Sequence, residues 1–387
     1  MHMATTHEVF AEKLTEYLEG TAKRKGEILD SVCEVTGMHR KAAIRKFGKL
    51  QMRDPLKEDC RGRHVYYTKD VDAALKSVWG AGGEVCGELL HPQIKELVGI
   101  LIRDDMWKHS DDATAKLRAM GKITTRRRVA TFMWGKPGRR GISGTKSSHL
   151  KEIIPIFAGP WDGVDPGHTQ IDTVVHCGSA LAGDMAYSVN CTDVATLWSK
   201  RRAQWNKGEE ATRDSLRAIK ERFPFRITHM HPDTGSEFIN WCLKRWCDEE
   251  HIDLARSRPY HKDDNGYVEE RNGHIIRRHL GYTRFDCPEV VPVMNELYEV
   301  LDLFLNHFVA NKRCVKKDRV GAKYKKVFEK NGMTPYARVL AHAKISNEVK
   351  EKLRQEHAGL NPLVLKKKID TIKARITRIQ SEFRNRN

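Results

Sequence analysis

Three acidic residues lie in short passages of the chain that could carry chemistry. Asp172 lies among β-forming residues in HTQIDTVV, Asp233 follows a predicted strand in HMHPDTGSEF, and Glu269 lies in a predicted helix in NGYVEERNGHIIRR. Taken singly, a strand-end aspartate is usually a turn former, and a helical glutamate usually faces solvent. Carboxylates are also the side chains that bind hard divalent cations such as Mg²⁺. Their order and spacing therefore decide which interpretation is favoured.

The passages around these acids resemble the DDE family, the retroviral-integrase-type catalytic core that many bacterial insertion-sequence transposases share. Thirty-five residues separate Asp233 from Glu269, a spacing typical of that family. DTGSEF is similar to the family's D-N/T-G-S-x-F motif, and GYVEERN is similar to its G-x-V-E-x-x-N motif, which aligns Glu269 and Asn272. The resemblance covers residues 165–310 and implies an RNase H-like core. In it, Asp172, Asp233 and Glu269 are both the catalytic residues and the metal ligands.

The chemistry that this resemblance implies is metal-dependent phosphoryl transfer on DNA. Three converging carboxylates without Cys or His ligands suit Mg²⁺ or Mn²⁺, and two ions about 4 Å apart assist both oxygens of an in-line displacement. The expected reaction is hydrolysis at the 3′ ends of a mobile element, then attack of the freed 3′ hydroxyl on target DNA. Glu270 directly follows Glu269, and neighbours on a helix point about 100° apart, so one of the two can face the aspartates. The motif register favours Glu269.

Two other functions remain open at this point. One is a catalytically inactive DNA-binding regulator that keeps the core, and the other is a structure-selective nuclease on the same fold. For the transposase, joining two element ends to one target requires at least two active sites, so we expect a dimer or a higher homo-oligomer on double-stranded DNA. The His-His-Cys-Cys zinc module of retroviral integrases is not transferred, because this chain has no CxxC pair.

The composition favours a nucleic-acid partner. Lys and Arg total 69 against 51 Asp and Glu in 387 residues, a net charge of +18. Residues 1–160 carry +9, residues 161–310 carry −6 and residues 311–387 carry +15. Basic flanks suit phosphate contacts, and an acidic centre suits cations. Nine scattered cysteines without a CxxC pair do not support a disulfide framework or a Cys-rich zinc site.

Neither a membrane span nor a secretion signal is predicted. No apolar run approaches the roughly 18 residues that a transmembrane helix needs. The first 30 residues contain several glutamates and no long apolar core, which is not typical of a signal peptide. We therefore expect a cytoplasmic, nucleoid-associated protein without a membrane partner.

The predicted fold class is α/β, with a mixed five-stranded RNase H-like sheet and flanking helices, N-terminal helix-turn-helix domains and a basic helical C-terminal tail. Strand and helix patterns alternate after three β-rich runs in the acidic centre, which indicates helices on both sides of the sheet. The predicted domains are residues 1–68, a helix-turn-helix DNA-binding domain; 69–134, a second helical DNA-binding domain; 135–160, a basic linker; 161–310, the catalytic core; and 311–387, a basic C-terminal region with a helical heptad segment.

The heptad segment places apolar residues at alternating spacings of four and three from Leu365 to Phe383. This pattern is typical of a coiled-coil seam about three repeats long. Because the seam is short, packing against the body of the same chain is an equal alternative.

The candidate DNA-binding residues lie in predicted recognition helices, in the basic linker and around the core. Helix-turn-helix proteins read DNA with the second helix, and interleaved aromatic and basic side chains suit nucleic-acid surfaces. The candidates are Arg40, Lys41, Arg45, Arg126, Arg127, Arg128, Arg139, Arg140, Arg201, Arg202, Arg258, Lys262 and Asn272.

Overall fold

The computed structural model of the chain describes residues 3–52, 66–133, 154–157, 161, 163–233, 235, 237–257, 266–320 and 323–386. By its contacts, the chain divides into two compact units, Met1–Tyr66 and Tyr67–Asn387. None of the described helices is both long enough and apolar enough to cross a bilayer.

In its described residues, 3–52 and 66, the first unit is a bundle of four helices. They are α1 (Met3–Glu12), α2 (Leu14–Glu19), α3 (Ala22–Thr36) and α4 (Arg40–Gln51). The side chain of Thr21 accepts a hydrogen bond from the Arg24 backbone and caps the start of α3. Gly37 ends α3 at a φ of 71°, a left-handed conformation that glycine adopts without a Cβ clash. Both helices of the predicted helix-turn-helix are therefore present, and they pack around Phe10 and Phe47.

The second unit begins with helices and continues into the sheet. The helices are α5 (Lys69–Ala81), α6 (Gly87–Leu90), α7 (Ile94–Arg103), α8 (Asp111–Arg118) and α9 (Lys122–Phe132). A short 3₁₀ turn at His91–Gln93 joins α6 to α7. Leu97, Val98 and Leu101 lie in the buried stripe of α7, at the spacing of an amphipathic helix.

The sheet has five strands with helices on both faces. Its elements are β1 (His168–Val175), β2 (Ala186–Asp193), β3 (Ser199–Trp205), α10 (Glu209–Glu221), β4 (His229–Pro232), α11 (Trp241–Glu249) and β5 (Asp253–Leu254). The strand order is β3-β2-β1-β4-β5. The pairs β3–β2 and β2–β1 are antiparallel, whereas β1–β4 and β4–β5 are parallel. This mixed α/β sheet confirms the coarse fold prediction.

A helical segment and a long helix follow the sheet. The segment consists of α12 (Gly266–Arg271), a π-helical turn (Asn272–Arg277) and α13 (Arg278–Leu280), and the long helix is α14 (Val290–Phe308). The chain ends with a two-stranded hairpin, β6 (Cys314–Val320) and β7 (Lys323–Phe328), and three helices, α15 (Pro335–Ala341), α16 (Asn347–Ala358) and α17 (Pro362–Arg386). The hairpin was not predicted.

Side chains from the two faces of the sheet lie in two different hydrophobic clusters. Ile171 and Met230 pack with α10 and α11 on one face. Val174 and Ala203, on the other face, belong to a cluster that also contains side chains of α5, α7, α14 and α17. The predicted second domain and the predicted C-terminal region thus share a core with the sheet inside one unit. The boundary predicted at residue 68 lies close to the division after Tyr66.

Candidate functional site

Two of the predicted catalytic carboxylates occupy adjacent positions on neighbouring strands. Asp172 lies in β1, and Asp233 directly follows β4. The two strands are parallel, and Ile171 is paired with Pro232 in their register. The next position on each strand is Asp172 and Asp233 respectively, and neighbouring strands lie about 4.8 Å apart. The fold therefore brings these two positions together although 60 residues separate them in the chain.

Each aspartate is oriented by a backbone hydrogen bond. The Thr173 N–H donates to Oδ1 of Asp172 at 2.8 Å, and the Gly235 N–H donates to Oδ1 of Asp233 at 2.9 Å. A Cβ atom built on Gly235 would lie only 2.9 Å from that same oxygen. A side chain at this position would therefore displace the carboxylate of Asp233 or that of Glu237, which lies 2.7 Å from the same Cβ position.

The helical segment that follows is fixed to β1 by side-chain hydrogen bonds. Oε1 of Gln170 accepts from the backbone N–H groups of Tyr267 at 3.0 Å and Val268 at 3.2 Å. These donors belong to the first turn of α12, where N–H groups have no partner within the helix. Gln170 precedes Asp172 by two residues and therefore lies on the same face of β1. Gln170 was not predicted from the sequence, although its position two residues before Asp172 on the same strand was a usable signal.

Asn272 connects this segment directly to a predicted catalytic residue. Its Nδ2 donates to Oδ2 of Asp172 at 2.6 Å, and its Oδ1 accepts from Nδ2 of Asn190 on β2 at 2.9 Å. Asn272 was predicted from its motif as a DNA contact. In the structure it positions Asp172, and the DNA contact stays a prediction.

Glu269 lies in α12, three residues before Asn272. Helix positions three apart share a face, so position 269 belongs to the face of α12 that includes Asn272. The side chains of Glu269 and Glu270 lie outside the described part of the structure. The choice between the two glutamates therefore continues to rest on the motif register.

The donor chemistry at this place fits a hard cation. Asp172 and Asp233 offer carboxylate oxygens, and each oxygen has a second lone pair beside the hydrogen bond it accepts. Among the side chains that the structure describes, no group of three His, Cys, Asp or Glu residues is placed to hold a metal ion. The third predicted ligand, Glu269, is not among those side chains.

The predicted recognition helix α4 presents its basic residues to solvent. Arg40, Lys41 and Arg45 are all exposed. Arg40 forms an ion pair with Asp30 of the preceding helix, and Nε of Arg45 donates to the Lys41 carbonyl at 3.2 Å. Lys41 and Arg45 therefore present charge that a phosphate could neutralise.

The three arginines predicted in α9 differ in their surroundings. Arg126 and Arg127 are exposed. Arg128 is half-buried, forms an ion pair with Asp72 of α5 and donates to the Tyr67 carbonyl at 3.2 Å. Arg128 thus ties α9 to α5, whereas its two neighbours are accessible.

The DNA contact predicted for Arg201 is wrong. Its side chain is fully buried and forms an ion pair with Asp302 of α14, which is also fully buried. Nη2 of Arg201 further donates to Oγ of Ser199 at 2.7 Å. Alternation along β3 turns residue 201 toward α14, while Arg202, on the opposite face, is half-buried. Four further candidates lie outside the described residues: Arg139, Arg140, Arg258 and Lys262.

The chain is similar in sequence to a bacterial protein. The chain is 30% identical over 323 residues to "Uncharacterized protein y4rM" of Sinorhizobium fredii (strain NBRC 101917 / NGR234). The aligned region covers 83% of this chain and 91% of that protein. No family model matches the chain.

Proposed function

This chain belongs to the same family as protein y4rM of Sinorhizobium fredii, and we propose that it is a DNA transposase of the DDE type. Its catalytic core is an RNase H-like fold, and its reaction is metal-dependent cleavage at element ends followed by strand transfer into target DNA. Asp172, Asp233 and Glu269 are the proposed metal ligands.

The observation that carries the proposal is the hydrogen bond from Asn272 to Asp172. It ties the segment with the GYVEERN motif to β1 at the aspartate that lies beside Asp233 in the strand register. The segment with the GYVEERN motif thus contacts the strand that carries Asp172, and this contact supports a shared site for the proposed chemistry. Mixed strand order and helices on both faces of the sheet are compatible with the proposed fold.

Bound Mg²⁺ or Mn²⁺ would supply the activation of the attacking oxygen and the stabilisation of the leaving 3′ oxygen. The protein's own contribution is to hold the carboxylates in place. Backbone N–H groups orient Oδ1 of Asp172 and of Asp233. Gln170 fixes the start of the helix that carries Glu269 through two backbone N–H groups. Preorganised ligands avoid the reorganisation cost that flexible side chains would add at the moment of reaction.

Charge on other parts of the chain supports DNA as the substrate. Lys41 and Arg45 in the first unit, and Arg126 and Arg127 in the second, are exposed. Each phosphate contact releases counterions, so we expect binding to weaken steeply with salt.

A first experiment tests the metal site without any knowledge of the element's ends. Like charges held close together disfavour the folded state, so millimolar Mn²⁺ or Mg²⁺ should raise the melting temperature. Asp172→Asn and Glu269→Gln should reduce that rise. Glu270→Gln, a matched change at the neighbouring residue, should keep it. A wild-type melting temperature that does not respond to either metal contradicts the proposed site.

A second experiment tests the reaction. Duplexes that carry the inverted repeats flanking the gene are incubated with the protein and Mn²⁺, and the products are separated by denaturing electrophoresis. Nicking plus joining supports the transposase, nicking alone identifies a nuclease, and binding without cleavage identifies a regulator. Asp233→Asn should abolish nicking while DNA binding is retained. Turnover that survives in this variant refutes the assignment.

A further inference from the structure

Lys207 lies at the same edge of the sheet as the candidate carboxylate that follows β4. Strand β3 is antiparallel to β2, β2 is antiparallel to β1, and β1 is parallel to β4, so β3 and β4 point in the same direction. Lys207 follows the last residue of β3 by two positions, and Asp233 directly follows β4. Both residues therefore lie at the edge formed by the carboxyl ends of these two strands.

The main chain that leads into Lys207 is fixed by its neighbour Asn206. Asn206 has a φ of 57°, a left-handed conformation that residues other than glycine adopt only when surrounding contacts hold it. Its backbone N–H donates to the Met185 carbonyl at 3.0 Å, and its carbonyl accepts from Nε2 of Gln204 at 2.9 Å. Its side chain accepts from the Met185 N–H at 3.1 Å and donates to Oδ1 of Asp184 at 3.0 Å. Four hydrogen bonds thus hold the turn that places Lys207.

An ion pair holds the ammonium group of Lys207 close to Asp233. Nζ of Lys207 lies 3.8 Å from Oε2 of Glu237. A Cβ atom built on Gly235 would lie 2.7 Å from that oxygen and 2.9 Å from Oδ1 of Asp233, so the two carboxylates are neighbours. Nζ of Lys207 therefore lies within about 10 Å of Oδ1 of Asp233, a length of about three nucleotide steps along one DNA strand.

The ion pair leaves the ammonium group of Lys207 accessible to an anion. The side chain of Lys207 is 46% exposed, whereas that of Glu237 is only 14% exposed. Their separation of 3.8 Å is longer than the 2.7–2.9 Å of a charge-assisted hydrogen bond, and an ammonium group has three N–H donors. Lys207 can therefore donate to an anion from outside the chain while it stays beside Glu237.

The charges around Lys207 limit what it can bind. Glu209 and Glu210, in the first turn of α10, are exposed and acidic. Together with Glu237 they prevent this part of the edge from forming a broad basic patch. An anion that binds here would therefore gain one ionic contact with Lys207, and it would have to be held in place by other parts of the same ligand. A phosphate of a DNA strand whose neighbouring phosphate lies at the carboxylates meets this condition.

We propose that Lys207 binds a phosphate of the substrate DNA that lies within about three nucleotides of the phosphate held at the carboxylates. The proposal rests on the proposed function, since it assigns a contact to the same DNA substrate. The alternative is that Lys207 only neutralises Glu237. In that case the loss of either charge would have the same effect on DNA binding.

The first test compares Lys207 with a matched lysine at the other end of the same helices. Nζ of Lys220, in the last turn of α10, lies 2.7 Å from Oε2 of Glu250, which follows α11. The measurement is fluorescence anisotropy of a labelled duplex that carries the inverted repeats flanking the gene, at several salt concentrations and without divalent metal. In Lys207→Ala the slope of log K against log salt should be smaller by about 0.9, and the affinity about fivefold lower at about 0.15 M salt. Lys220→Ala should match the wild type, and equal slopes in the two variants would overturn the contact.

A second comparison separates a DNA contact from a role limited to neutralising Glu237. Glu237→Gln removes the same ion pair but leaves the ammonium group of Lys207. This variant should keep the wild-type slope and bind the duplex at least as tightly as the wild type, because it removes a negative charge near the phosphate. Equal losses of affinity in Lys207→Ala and Glu237→Gln would show that Lys207 only neutralises the carboxylate. Lys207→Arg should keep the wild-type slope, and urea unfolding should show that Lys207→Ala folds.

A third measurement locates the phosphate. In a series of duplexes, one phosphate at a time is replaced with an uncharged methylphosphonate. At one position within about three nucleotides of the nick, the replacement should weaken wild-type binding about fivefold and leave the binding of Lys207→Ala unchanged. A series in which both proteins respond alike at every position contradicts the contact. A wild type that binds the duplex but does not nick or join it contradicts the transposase alone, whereas a wild type that does not bind the duplex contradicts both proposals.

Discussion

Nδ2 of Asn272 and Oδ2 of Asp172 are joined by a hydrogen bond of 2.6 Å. The bond connects the first residue of a π-helical turn to the middle of β1. A π-helical turn widens a helix locally and is frequent at functional sites. The hydrogen bond from Asn272 fixes Oδ2 of Asp172, while the Thr173 N–H fixes Oδ1. Asn272 therefore acts as a positioning residue for the proposed metal ligand.

Asn272→Ala should lower the rate of DNA nicking by about 10–100-fold, the effect typical of losing a partner that orients a metal ligand. The DNA concentration for half-maximal rate should change little, and the Mn²⁺ needed for half-maximal rate should rise. Steady-state kinetics at several metal concentrations separate these effects. The exposed Asn347→Ala is the control and should behave as wild type. An Asn272→Ala variant that loses DNA affinity alone would identify Asn272 as a DNA contact instead.

The buried pair of Arg201 and Asp302 gives a prediction about stability. Asp302→Ala leaves a buried guanidinium without its carboxylate partner, which should cost about 3–5 kcal/mol of unfolding free energy. Urea denaturation measures this loss. Glu348→Gln removes the acid of the exposed ion pair with Lys352 and should leave the urea concentration at half unfolding unchanged. A midpoint for Asp302→Ala equal to that of wild type would show that the pair contributes nothing.

The same pair shows where sequence reasoning succeeded and where it failed. The motifs predicted strand β1, the turn after β4 and helix α12, because each motif combines a local pattern with a fixed spacing. Arg201 was misassigned because adjacent basic residues in β3 were taken as one surface, although alternation turns every second one inward. Asp302, in the middle of the apolar stripe of α14, was a signal for a buried cation partner. Burial of an ion pair depends on two distant segments, which local patterns do not specify.

The hairpin was missed for a related reason. Residues 314–328 are rich in lysine, which is depleted in strands, and the pairing of β6 with β7 has no apolar alternation to indicate it. Its base depends instead on Glu329 and Arg338, which follow it in the chain. Sequence patterning predicted the packed elements of the sheet well, whereas the hairpin depends on polar contacts from outside its own span.

The heptad residues of α17 pack on their own chain. Ile369 and Ile376 are buried in a cluster that includes Leu297 and Leu301 of α14. Ile376→Ala should cost about 2–5 kcal/mol, since it removes buried methyl groups and leaves a cavity. Urea unfolding at several protein concentrations should give the same loss of unfolding free energy at each concentration. The control is Lys367→Ala on the exposed side of α17, and a loss that grows on dilution would indicate a coiled coil between chains.

Stability should fall as the pH is lowered from about 6.5 to 5, because buried histidines cannot take up a proton in the folded state. Burial lowers the pKa of His176 and of His231 to about 3, and burial also lowers the pKa of His307. The unfolded chain binds protons at these residues below about pH 6.5, so His176 and His231 each cost about 1.4 kcal/mol of unfolding free energy per pH unit there, and His307 acts in the same direction. Asp193 acts in the opposite direction, since burial raises the pKa of its carboxyl to about 6. The histidines outnumber it, so the net effect of acid in this window is destabilising.

Urea unfolding at about pH 7, 6 and 5 measures this dependence. His176→Gln removes one titrating group and keeps a side chain able to bond with Oγ of Ser188, which lies 2.8 Å from the histidine ring. Its unfolding free energy should therefore fall less steeply with acid than that of the wild type, by about 1.4 kcal/mol per pH unit. The exposed His39→Gln should retain the wild-type slope. Unfolding free energies that stay level or rise between pH 7 and 5 would mean that these histidines are protonated in the folded protein.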